Sequence, residues 1–452
     1  MNRAIVIGGG SDALVAAQTL ARAGREVIVI EGRTAGLDEG WVPPKVLREL
    51  KIKGFGLEWP DPWLTVPLPD GGRLELWRDM ARSVESIGRL SARDAGRWPD
   101  FCQRMARLAR YLEALYAAPP PDPLSARFAL RARRLGRLGL TELLRILPMP
   151  VADLLDDWFE SDALKGALGA AGVLHLLQGP RSGGTAFRFL HHHVGCPPGV
   201  FRPPRSNILE LLHRLPRVEL QGTGVRRIAV RAGAVTGAVL QDGRELEASL
   251  VVSSADPRRS LLELVEPGWL DPEFVRALRH VRRRGVAARL RVQLDRSPGF
   301  ASLALAPSLD YLERAYDDAK HGRVSRAPYV EARCDAQHRL EVLVQYAPYG
   351  VDCSGLLDRV AEMLVEHWGE AQAQHAELAT PRQLEEFEGW PEGQPHHAEL
   401  SLDQALWMRP LPELARYATP IRGLWLCGPA MHPGAGIAGA AGFNCAHAIL
   451  GR

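Results

Sequence analysis

Three consecutive glycines near the start of the chain separate a strand pattern from a helix pattern. The apolar, β-branched run Arg3–Ile7 is typical of a buried parallel strand. After the glycines, apolar residues recur on one helical face over Asp12–Ala23, and Gly24 provides a stop. A second apolar run, Val27–Ile30, follows at once. This order of strand, glycine turn, helix and strand predicts a βαβ unit of an α/β fold.

The residues of this unit suit the ADP half of a dinucleotide. Gly8 allows the tight turn, Gly10 lets the backbone approach a pyrophosphate, and Ala13 lets the helix pack closely on the strand. The pyrophosphate then lies on the amides at the helix N-terminus, beside Ser11. Glu31 ends the second strand and can accept hydrogen bonds from the ribose hydroxyls. A glycine-rich turn without a nucleotide is the alternative, but the surrounding strands and Glu31 favour the nucleotide.

The size and composition of the chain narrow its class. A length of 452 residues suggests two interlocked domains, and 46% hydrophobic with 24% charged residues describes a soluble globular protein. The formal net charge of +3 gives no indication of nucleic-acid binding. Six scattered cysteines form no C-x-x-C pair, which argues against a redox-active disulfide and favours reduced thiols. We therefore expect a cytoplasmic protein.

A basic, amphipathic segment spans residues 124–147 within a mainly helical region, 94–178. It carries six arginines and one glutamate, with leucines interleaved. Such a segment can lie on a membrane surface, or it can be a helix whose apolar face packs on its own domain. We favour packing and keep peripheral membrane contact through 124–147 as the alternative. No apolar stretch is long enough to predict a spanning helix.

Two later regions extend the pattern of the first unit. Alternating residues over 218–246, with a hairpin turn at Asp242–Gly243, predict a series of strands that Leu250–Ser254 closes. Near the end, the strand-like Gly423–Gly428 leads into the small-residue stretch Pro433–Gly442 and a helix. A helix starting there can direct its amides at the N1/O2 edge of a flavin, where negative charge develops on reduction. Together with the first unit, this favours FAD over a merely close-packed helix.

Several stretches together resemble a known family. They are Val6–Gly10, Val29–Glu31, Val251–Pro257 and Leu426–Gly442. They resemble the phytoene desaturase-related FAD-dependent oxidoreductases, which share the fold of amine oxidase and carotene desaturase flavoproteins. Three internal stretches are most similar to the pyridine nucleotide-disulfide oxidoreductase domain-containing branch, which despite its name lacks a redox disulfide. These are Asp157–Ser161, Leu190–His192 and Ala398–Gln404.

The resemblance implies a division of the chain into two domains. It implies an α/β fold with a Rossmann-like, glutathione-reductase-like FAD-binding domain and an inserted, mixed α+β substrate domain. The FAD-binding domain is expected to be discontinuous, over residues 1–40, 205–257 and 418–452. Residues 41–204 and 258–417 are expected to form the substrate domain.

The resemblance also implies which residues hold the cofactor, FAD. Those expected at the ADP moiety and the following turn are Gly8, Gly10, Ser11, Ala13, Glu31, Gly32 and Arg33. Val225 is expected to contact the adenine through its backbone. Gly428, Gly436 and Ile437 are expected along the pyrophosphate and the isoalloxazine ring.

Two loops differ from the family pattern. Relatives have a Gly-Gly pair after the ribose glutamate and a Gly-Gly-x-Gly loop further on, whereas this chain has Thr34–Leu37 and Pro203–Ser206 in those places. Proline removes an amide and fixes φ, while glycine allows close backbone approach. These differences support an alternative function, a flavin-fold protein that has lost catalysis and acts as a binding or scaffold partner. A flavin isomerase without net redox chemistry is a third interpretation.

Histidines are the candidate proton-transfer groups. His191 and His192 belong to the run His191–His193, and an unperturbed histidine titrates near neutrality. Consecutive histidines point in different directions, so no shared metal site is predicted. A structural, hydrogen-bonded role is the alternative, as it is for the pair His396–His397 and for His432.

The sequence as a whole predicts an FAD-dependent oxidoreductase. A flavin dehydrogenase or desaturase needs little more from its protein than a substrate C–H or N–H held against the flavin. The substrate is expected to be a small organic molecule, and eleven tryptophans with apolar helices favour an apolar or aromatic one. Electrons then pass to oxygen or another acceptor. The oligomeric state is left open.

Overall fold

A computed structural model describes residues 2–31, 40–120, 136–216, 218–266 and 268–451 of the chain. Its strands are β1 (Arg3–Ile7), β2 (Glu26–Ile30), β3 (Leu57–Glu58), β4 (Leu64–Pro67), β5 (Arg73–Leu76), β6 (Arg205–Ser206), β7 (Glu219–Gln221), β8 (Val225–Arg231), β9 (Ala234–Leu240), β10 (Glu245–Glu247), β11 (Leu250–Ser253), β12 (Ala287–Leu294), β13 (Ser302–Leu305), β14 (Tyr329–Cys334), β15 (Arg339–Gln345), β16 (Ala373–Ala379) and β17 (Leu424–Leu426). Its α-helices are α1 (Ser11–Arg22), α2 (Pro44–Leu50), α3 (Met80–Gly88), α4 (Ala92–Tyr116), α5 (Gly136–Ile146), α6 (Val151–Asp156), α7 (Asp162–Gly169), α8 (Thr185–His193), α9 (Ile208–His213), α10 (Pro272–His280), α11 (Leu309–Lys320), α12 (Leu356–Val365), α13 (Pro381–Glu388) and α14 (Ala440–Ile449).

Five parallel strands form the first sheet, in the order β17-β11-β1-β2-β7. β1 lies in its centre, where Val6 is opposite Val29 of β2 on one side and Val252 of β11 on the other. All three valines are fully buried, as the continuous apolar runs predict for a sheet covered on both faces. The predicted α/β fold with a Rossmann-like parallel sheet and a mixed-sheet domain is confirmed. The domain boundaries stay a prediction, although segments far apart in the chain supply this one sheet.

Helices α1 and α14 pack against each other beside this sheet. Small residues allow the close contact. A Cβ on Gly442 would lie 1.8 Å from the carbonyl oxygen of Asp12, and one on Gly439 would lie 2.7 Å from the side chain of Val15. Only a residue without a side chain fits these positions. The small-residue stretch therefore brings the N-terminus of α14 next to that of α1.

Strands β8, β9 and β10 form a small antiparallel sheet in the order β10-β9-β8. The turn at Asp242–Gly243 joins β9 to β10, as the sequence predicts, and Gly243 has a φ of +89°. β7 belongs to the same alternating region, but it joins the edge of the parallel sheet beside β2. The alternating pattern thus predicts the strands but not which sheet each one enters.

A seven-stranded sheet forms the second layer, in the order β16-β12-β15-β14-β13-β4-β5. Its neighbours are antiparallel except β13 and β4, which are parallel. On one side α12 buries Leu356, Val360 and Leu364 in a cluster with the central strands. The apolar residues of β4 and β5 join a separate cluster that contains Trp98 and Phe101 of α4. This sheet and its helices are the mixed α+β part that the sequence predicts for the substrate.

Helix α5 is the described part of the basic, amphipathic segment, and residues 121–135 lie outside the described residues. α5 buries Leu143 and Ile146 against its own domain, while Leu144 is 61% exposed. This part of the segment therefore packs as favoured, and membrane contact through 124–147 stays a prediction. Among the described residues, no helix has both the length and the apolarity needed to cross a bilayer.

Candidate cofactor and substrate site

The N-terminus of α1 faces open space beyond the end of β1. Gly10 precedes the helix, and no described side chain caps it. The first amides of a helix lack intrahelical partners and carry partial positive charge. A Cβ added to Gly10 would have no described atom within 4 Å, so this glycine borders unfilled space. The loop therefore offers free amides and room to an anion such as a pyrophosphate.

Gly8 has a different role from Gly10. It has a φ of +116°, and a Cβ there would lie 2.0 Å from Oγ of Ser254. Gly428 also approaches Ser254, since a Cβ on it would lie 2.1 Å from that residue's carbonyl oxygen. The Ser254 hydroxyl donates to the carbonyl oxygen of Ile7 at 3.1 Å. The predicted residues Gly8 and Gly428 thus meet at the carboxyl ends of three adjacent parallel strands.

Glu31 lies beside the glycine loop at the end of β2. A Cβ on Gly9 would be 3.4 Å from Oε1 of Glu31. Nε2 of His213, the last residue of α9, is 3.1 Å from the same oxygen. The Glu31 side chain is 29% exposed, so the histidine orients the carboxylate without covering it. This is the arrangement expected of a carboxylate that binds ribose hydroxyls.

A cleft of about 810 Å³ adjoins the glycine loop. Its walls include Gly8, Glu31 and Val225, three of the residues predicted at the ADP moiety. Further polar side chains around it are Gln241, Asp256, Arg259, Glu263, Arg283, Glu385, Glu386 and His397. The volume lies within the range of small-molecule and cofactor pockets. The parallel sheet and the β8–β10 sheet together thus form one cleft from residues far apart in the chain.

Asp12 connects the N-termini of α1 and α14. Its Oδ1 accepts a hydrogen bond from the amide of Gly442 at 3.3 Å. Burial raises the pKa of Asp12 to about 7, although the amides of Gly442 and Ala441 act to lower it. The carboxyl group therefore changes charge near neutral pH, where two helices direct their positive ends toward the same region.

Gly436 and Ile437 lie next to Trp41. The Trp41 amide donates to the carbonyl oxygen of Gly436 at 3.1 Å, and the Ala438 amide donates to that of Trp41 at 2.9 Å. Gly436 has a φ of +91°, and the sole described atom within 4 Å of a Cβ there is Nε2 of His191, at 3.5 Å. Gly436 thus presents its backbone to open space, while the side chain of Ile437 is buried.

A second cavity, of about 120 Å³, lies between α8 and the seven-stranded sheet. Gly436 borders it, so it adjoins the segment expected along the isoalloxazine ring. Its apolar walls include Leu174, Ala288, Val342, Leu343, Leu384 and Trp390. Its polar walls include His175, Arg188, His192, Glu331, Arg333 and His396. This cavity is therefore apolar on one side and rich in basic groups on the other, and its use for an apolar or aromatic substrate stays a prediction.

His191 is held by two hydrogen bonds. Its Nε2 is 2.8 Å from the carbonyl oxygen of Ala435, and its Nδ1 is 2.9 Å from the hydroxyl of Tyr116. A carbonyl only accepts, so Nε2 carries the proton and Nδ1 accepts from Tyr116. Burial, and secondly the charge of Arg188, lower the pKa of His191 well below its usual value. His191 is a neutral side chain that fixes the backbone before Gly436.

His192 borders the second cavity and is less engaged than His191. Its Nδ1 has no hydrogen-bond partner in the described part of the chain. Burial, followed by the charge of Arg188, lowers the pKa of His192 well below its usual value. The imidazole is therefore neutral at neutral pH, with a ring nitrogen that can accept a proton. Of the two histidines predicted as catalytic, His192 lines the second cavity, and the catalytic role of both stays a prediction.

Arg188 is a site residue that the sequence analysis misses. It lies one turn before His192 on α8, is 1% exposed and lines the second cavity. Its Nη2 is 2.9 Å from Nε2 of His396, a residue 208 positions away. Arginine is seldom fully buried, and nothing in the sequence around Arg188 predicts that this one is. A contact over that distance leaves no signal in one sequence.

Some of the remaining predicted residues are described by the structure and others are not. Ser11 and Ala13 lie in the first turn of α1, while Gly32, Arg33 and the loop 34–37 are outside the described residues. The second altered loop is described: its last two residues form β6 and pair with β3. Pro204 accepts a hydrogen bond from the Gly40 amide at 2.8 Å, and Pro203 borders the second cavity. A short strand thus stands where relatives have a glycine loop.

The described residues fit the two ends of FAD. At the ADP end, Gly8 and Glu31 line one cleft, and the open side of Gly10 and the uncapped N-terminus of α1 follow Gly8 in the same loop. At the flavin end, the backbone of Gly436 borders a cavity that the mixed sheet closes on the other side. The N-terminus of α14 contacts the first turn of α1 through Gly442 and Asp12.

Comparisons with known proteins agree with this geometry, although no family model matches the chain. Pyridine nucleotide-disulfide oxidoreductase domain-containing protein 2 of Rattus norvegicus is 27% identical over 539 residues, covering 99% of this chain and 93% of the relative. The structure of a putrescine oxidase triple mutant with redesigned cofactor binding has a TM-score of 0.60 and 14% identity, covering 100% of this chain and 98% of that one. Cyclohexylamine oxidase from Brevibacterium oxydans has a TM-score of 0.54 and 13% identity, covering 99% and 98%.

The sequence match extends over nearly the full length of both proteins, and the structural matches show the fold of flavin amine oxidases. The resemblance inferred from the sequence is thereby confirmed, while its desaturase and phytoene aspects stay predictions. The chain is a homologue of pyridine nucleotide-disulfide oxidoreductase domain-containing protein 2, and it has the fold of the putrescine and cyclohexylamine oxidases.

Proposed function

We propose that this chain is an FAD-dependent dehydrogenase or desaturase that takes a hydride from a small organic substrate. The observation that carries the proposal is the ADP cradle: Gly8 and the oriented Glu31 line one cleft, and the same glycine loop continues through an open Gly10 to the uncapped N-terminus of α1. When bound, FAD supplies a two-electron hydride acceptor. Oxygen or another acceptor then takes the electrons.

The chain's own residues bind and orient the reactants. The second cavity takes the substrate between the backbone of Gly436 and the mixed sheet, and its apolar walls exclude water from the reacting carbon. His191 fixes the backbone of Ala435. His192 takes the proton that leaves the substrate along with the hydride. The low pKa of His192 makes it a weak base, so the proton is held only if negative charge lies nearby.

Reconstitution with FAD tests this function. Purified protein is mixed with FAD, separated from free cofactor, and examined for flavin absorbance. FAD at one hundred times its dissociation constant raises the free energy of unfolding by about 2.7 kcal/mol, which a thermal melt detects. Anaerobic mixing with candidate organic substrates then bleaches the flavin. A chain that remains colourless and gains no thermal stability contradicts the proposal.

One observation favours a second candidate, a flavin-fold protein that binds a partner and no longer turns over. β6 occupies the place of a glycine loop of relatives, and Pro204 holds Gly40 by a hydrogen bond. On this interpretation FAD binds, or fails to bind, without any reduction by substrate. A retained flavin that bleaches anaerobically excludes the second candidate, whereas a flavin reduced by dithionite but by no organic compound supports it.

A further inference from the structure

We propose that the second cavity binds an anionic group of the substrate, a carboxylate, and that Arg188 is the residue that binds it. The proposal rests on the proposed function, because it assigns a substrate class to the same site. It refines the expected apolar or aromatic substrate to an organic acid whose apolar body lies along the mixed sheet.

Arg188 is a buried cation with unused hydrogen-bond donors. Its side chain is 1% exposed and lines the second cavity. Nε and Nη1 have no hydrogen-bond partner among the described residues, and Nη2 contacts Nε2 of His396 at 2.9 Å. A buried guanidinium without a counter-charge is costly, since burial penalises the charged form unless it is paired. The unused donors indicate an anionic ligand that the protein itself does not supply.

Two other fully buried arginines show what a satisfied guanidinium looks like in this fold. Arg202 forms an ion pair with Glu331 at 2.8 Å and donates to the hydroxyl of Tyr329 at 3.2 Å. Arg409 donates to backbone carbonyl oxygens, among them that of Pro429 at 2.7 Å. Among the described residues, Arg188 has neither a carboxylate nor a set of carbonyls around it. The contrast assigns it to binding rather than to support of the fold.

The histidines that face Arg188 leave its charge uncompensated. His175, His192 and His396 are neutral at neutral pH, because burial and then the charge of Arg188 lower the pKa of each. A neutral imidazole offers a guanidinium at most one accepting nitrogen. These side chains therefore give Arg188 a polar wall but no negative charge.

The other charged groups nearby do not compensate Arg188 either. Tyr116, whose pKa burial raises, is neutral, and Arg409 adds a second positive charge. Glu331 is a carboxylate at the cavity wall, but Arg202 already pairs with it. The described surroundings of Arg188 thus carry an excess of positive charge, which suits an anionic ligand.

The charge of Arg188 persists despite its burial. Burial lowers its pKa to about 9, so the guanidinium is still protonated at neutral pH. A bound carboxylate would neutralise this charge and would also favour the protonated form of His192 beside it. The anion therefore supplies the negative charge that a proton on His192 requires. Substrate binding and proton transfer in the proposed reaction thus depend on the same charged group.

Calorimetric titration of the FAD-loaded protein tests the proposal. The probes are benzoate and hexanoate, each compared with its neutral isostere, benzamide or hexanamide. Wild-type protein is expected to bind at least one carboxylate tenfold or more tightly than the matching amide. Arg188→Met is expected to weaken carboxylate binding at least tenfold, and Arg188→Lys is expected to restore part of it, because lysine keeps the charge without the planar fork.

A matched control comes from the same cavity. Arg205 also borders it, but its guanidinium is paired with Glu341 at 3.3 Å and is 35% exposed. Arg205→Met is expected to change carboxylate affinity less than threefold. An equal loss in both variants contradicts a specific role for Arg188 and indicates only general attraction by positive charge.

The outcomes separate this proposal from the proposed function. Protein that retains FAD but binds carboxylates no better than amides overturns the Arg188 proposal and leaves the oxidoreductase standing. If Arg188→Met instead loses FAD affinity tenfold and keeps its preference for carboxylates, the flavin is the counter-charge and the proposal is wrong. If the chain takes up no FAD, the proposed function fails, and the same titration of the FAD-free protein still decides whether Arg188 binds an anion.

A variant that does not fold leaves the test intact. The comparison of acid with amide on wild-type protein still decides whether the second cavity prefers a carboxylate.

Discussion

Gly8 and Gly10 belong to one loop but are required for different reasons. Gly8 has a φ of +116°, and a Cβ would collide with Ser254, whereas a Cβ on Gly10 meets no described atom within 4 Å. We expect Gly10→Ala to change the free energy of unfolding by less than about 1 kcal/mol, because alanine is only a poorer residue before a helix. FAD affinity should fall at least tenfold, since the methyl group blocks close approach of the pyrophosphate.

The comparison with Gly8 and with a remote glycine makes this prediction specific. Gly8→Ala is expected to unfold more easily by about 2 kcal/mol or more, because the residue is both strained and overpacked. Gly96→Ala, in α4, also adds a Cβ with no described atom within 4 Å, and should leave FAD affinity unchanged. Chemical denaturation and FAD titration measure both quantities. Wild-type FAD affinity in Gly10→Ala would falsify the assignment of the loop.

Arg409 supports the fold, unlike Arg188. Its guanidinium donates to backbone carbonyl oxygens on two segments, including those of Glu399 at 3.0 Å and Pro429 at 2.7 Å. Arg409→Met leaves these carbonyls buried without donors, so we expect a loss of about 3 kcal/mol or more in the free energy of unfolding. Arg188→Met removes an unpaired charge and should cost less than Arg409→Met. Urea denaturation of the two variants gives the comparison, and an equal or larger loss in Arg188→Met contradicts it.

Single residues could be predicted from the sequence where their role depends on near neighbours. Gly8, Gly10 and Glu31 lie within one short βαβ unit, so their spacing alone predicts that they come together beside one loop, as the structure shows. The interpretation of Arg188 depends on its contact with His396 and on the lack of a carboxylate partner among the described residues. One sequence alone does not show such relations. The run His191–His193 does not reveal that its members differ: His191 is held by Ala435 and Tyr116, whereas His192 lines the second cavity.

At the scale of elements, α1 and α14 share the carboxyl group of Asp12. Its pKa is raised from 3.8 to about 7 by burial, so the folded protein binds a proton that the unfolded chain has released by neutral pH. The stabilising contribution of protonated Asp12 is therefore complete below about pH 3.8 and is lost as the pH rises toward 7. For this one proton, the free energy of unfolding changes by at most about 1.4 kcal/mol per pH unit.

Asp12→Asn tests this dependence. The amide oxygen can still accept from the Gly442 amide, while the titration is removed. We expect the stability of the wild type relative to the variant to fall between pH 5 and 7 in urea denaturation of FAD-free protein. A pH-independent difference between wild type and Asp12→Asn contradicts the raised pKa.

Elements were predictable from the sequence where period and turn chemistry agree. β1, α1 and β2 follow from the apolar runs and the glycine turn, and the β9–β10 hairpin follows from Asp242–Gly243. The sheet that β7 enters could not be predicted, because alternation does not specify a partner strand. β6 was not predicted, since two prolines precede it and its pairing with β3 joins residues far apart in the chain.

At the scale of the whole molecule, the buried ion pair of Arg202 with Glu331 joins parts of the chain that are far apart in sequence. Arg202 precedes the proline loop, and its guanidinium donates to the carbonyl oxygen of Ala167 in α7 and pairs with Glu331 in the middle of β14. Burial acts to raise the pKa of Glu331, but Arg202, Arg333 and the Tyr329 hydroxyl lower it overall. This pair fixes the altered loop to the mixed sheet at the edge of the second cavity.

Glu331→Gln should therefore destabilise the whole molecule. It leaves the Arg202 charge buried without a counter-charge, which costs about 3–5 kcal/mol in comparable pairs. Because the pKa of Glu331 lies below its usual 4.5, the stabilisation is present above that pH and is lost as the pH falls through the lowered value. The difference in the free energy of unfolding between wild type and variant should thus be constant from pH 6 to 8 and become smaller in acid. Thermal and urea denaturation at neutral and acidic pH measure it.

A double variant separates the ion pair from the space it fills. Arg202→Met combined with Glu331→Met removes both charges and keeps apolar volume, so it should recover most of the stability lost in Glu331→Gln. Affinity for ADP should stay within threefold of wild type in both variants, because the ADP cleft lies at the parallel sheet and neither residue lines it. If the double variant is as unstable as Glu331→Gln, packing at this junction matters more than charge compensation. If ADP affinity falls along with stability, the two sheets are energetically coupled. The proline loop then provides a connection, because it follows Arg202 directly and Pro204 accepts a hydrogen bond from the Gly40 amide.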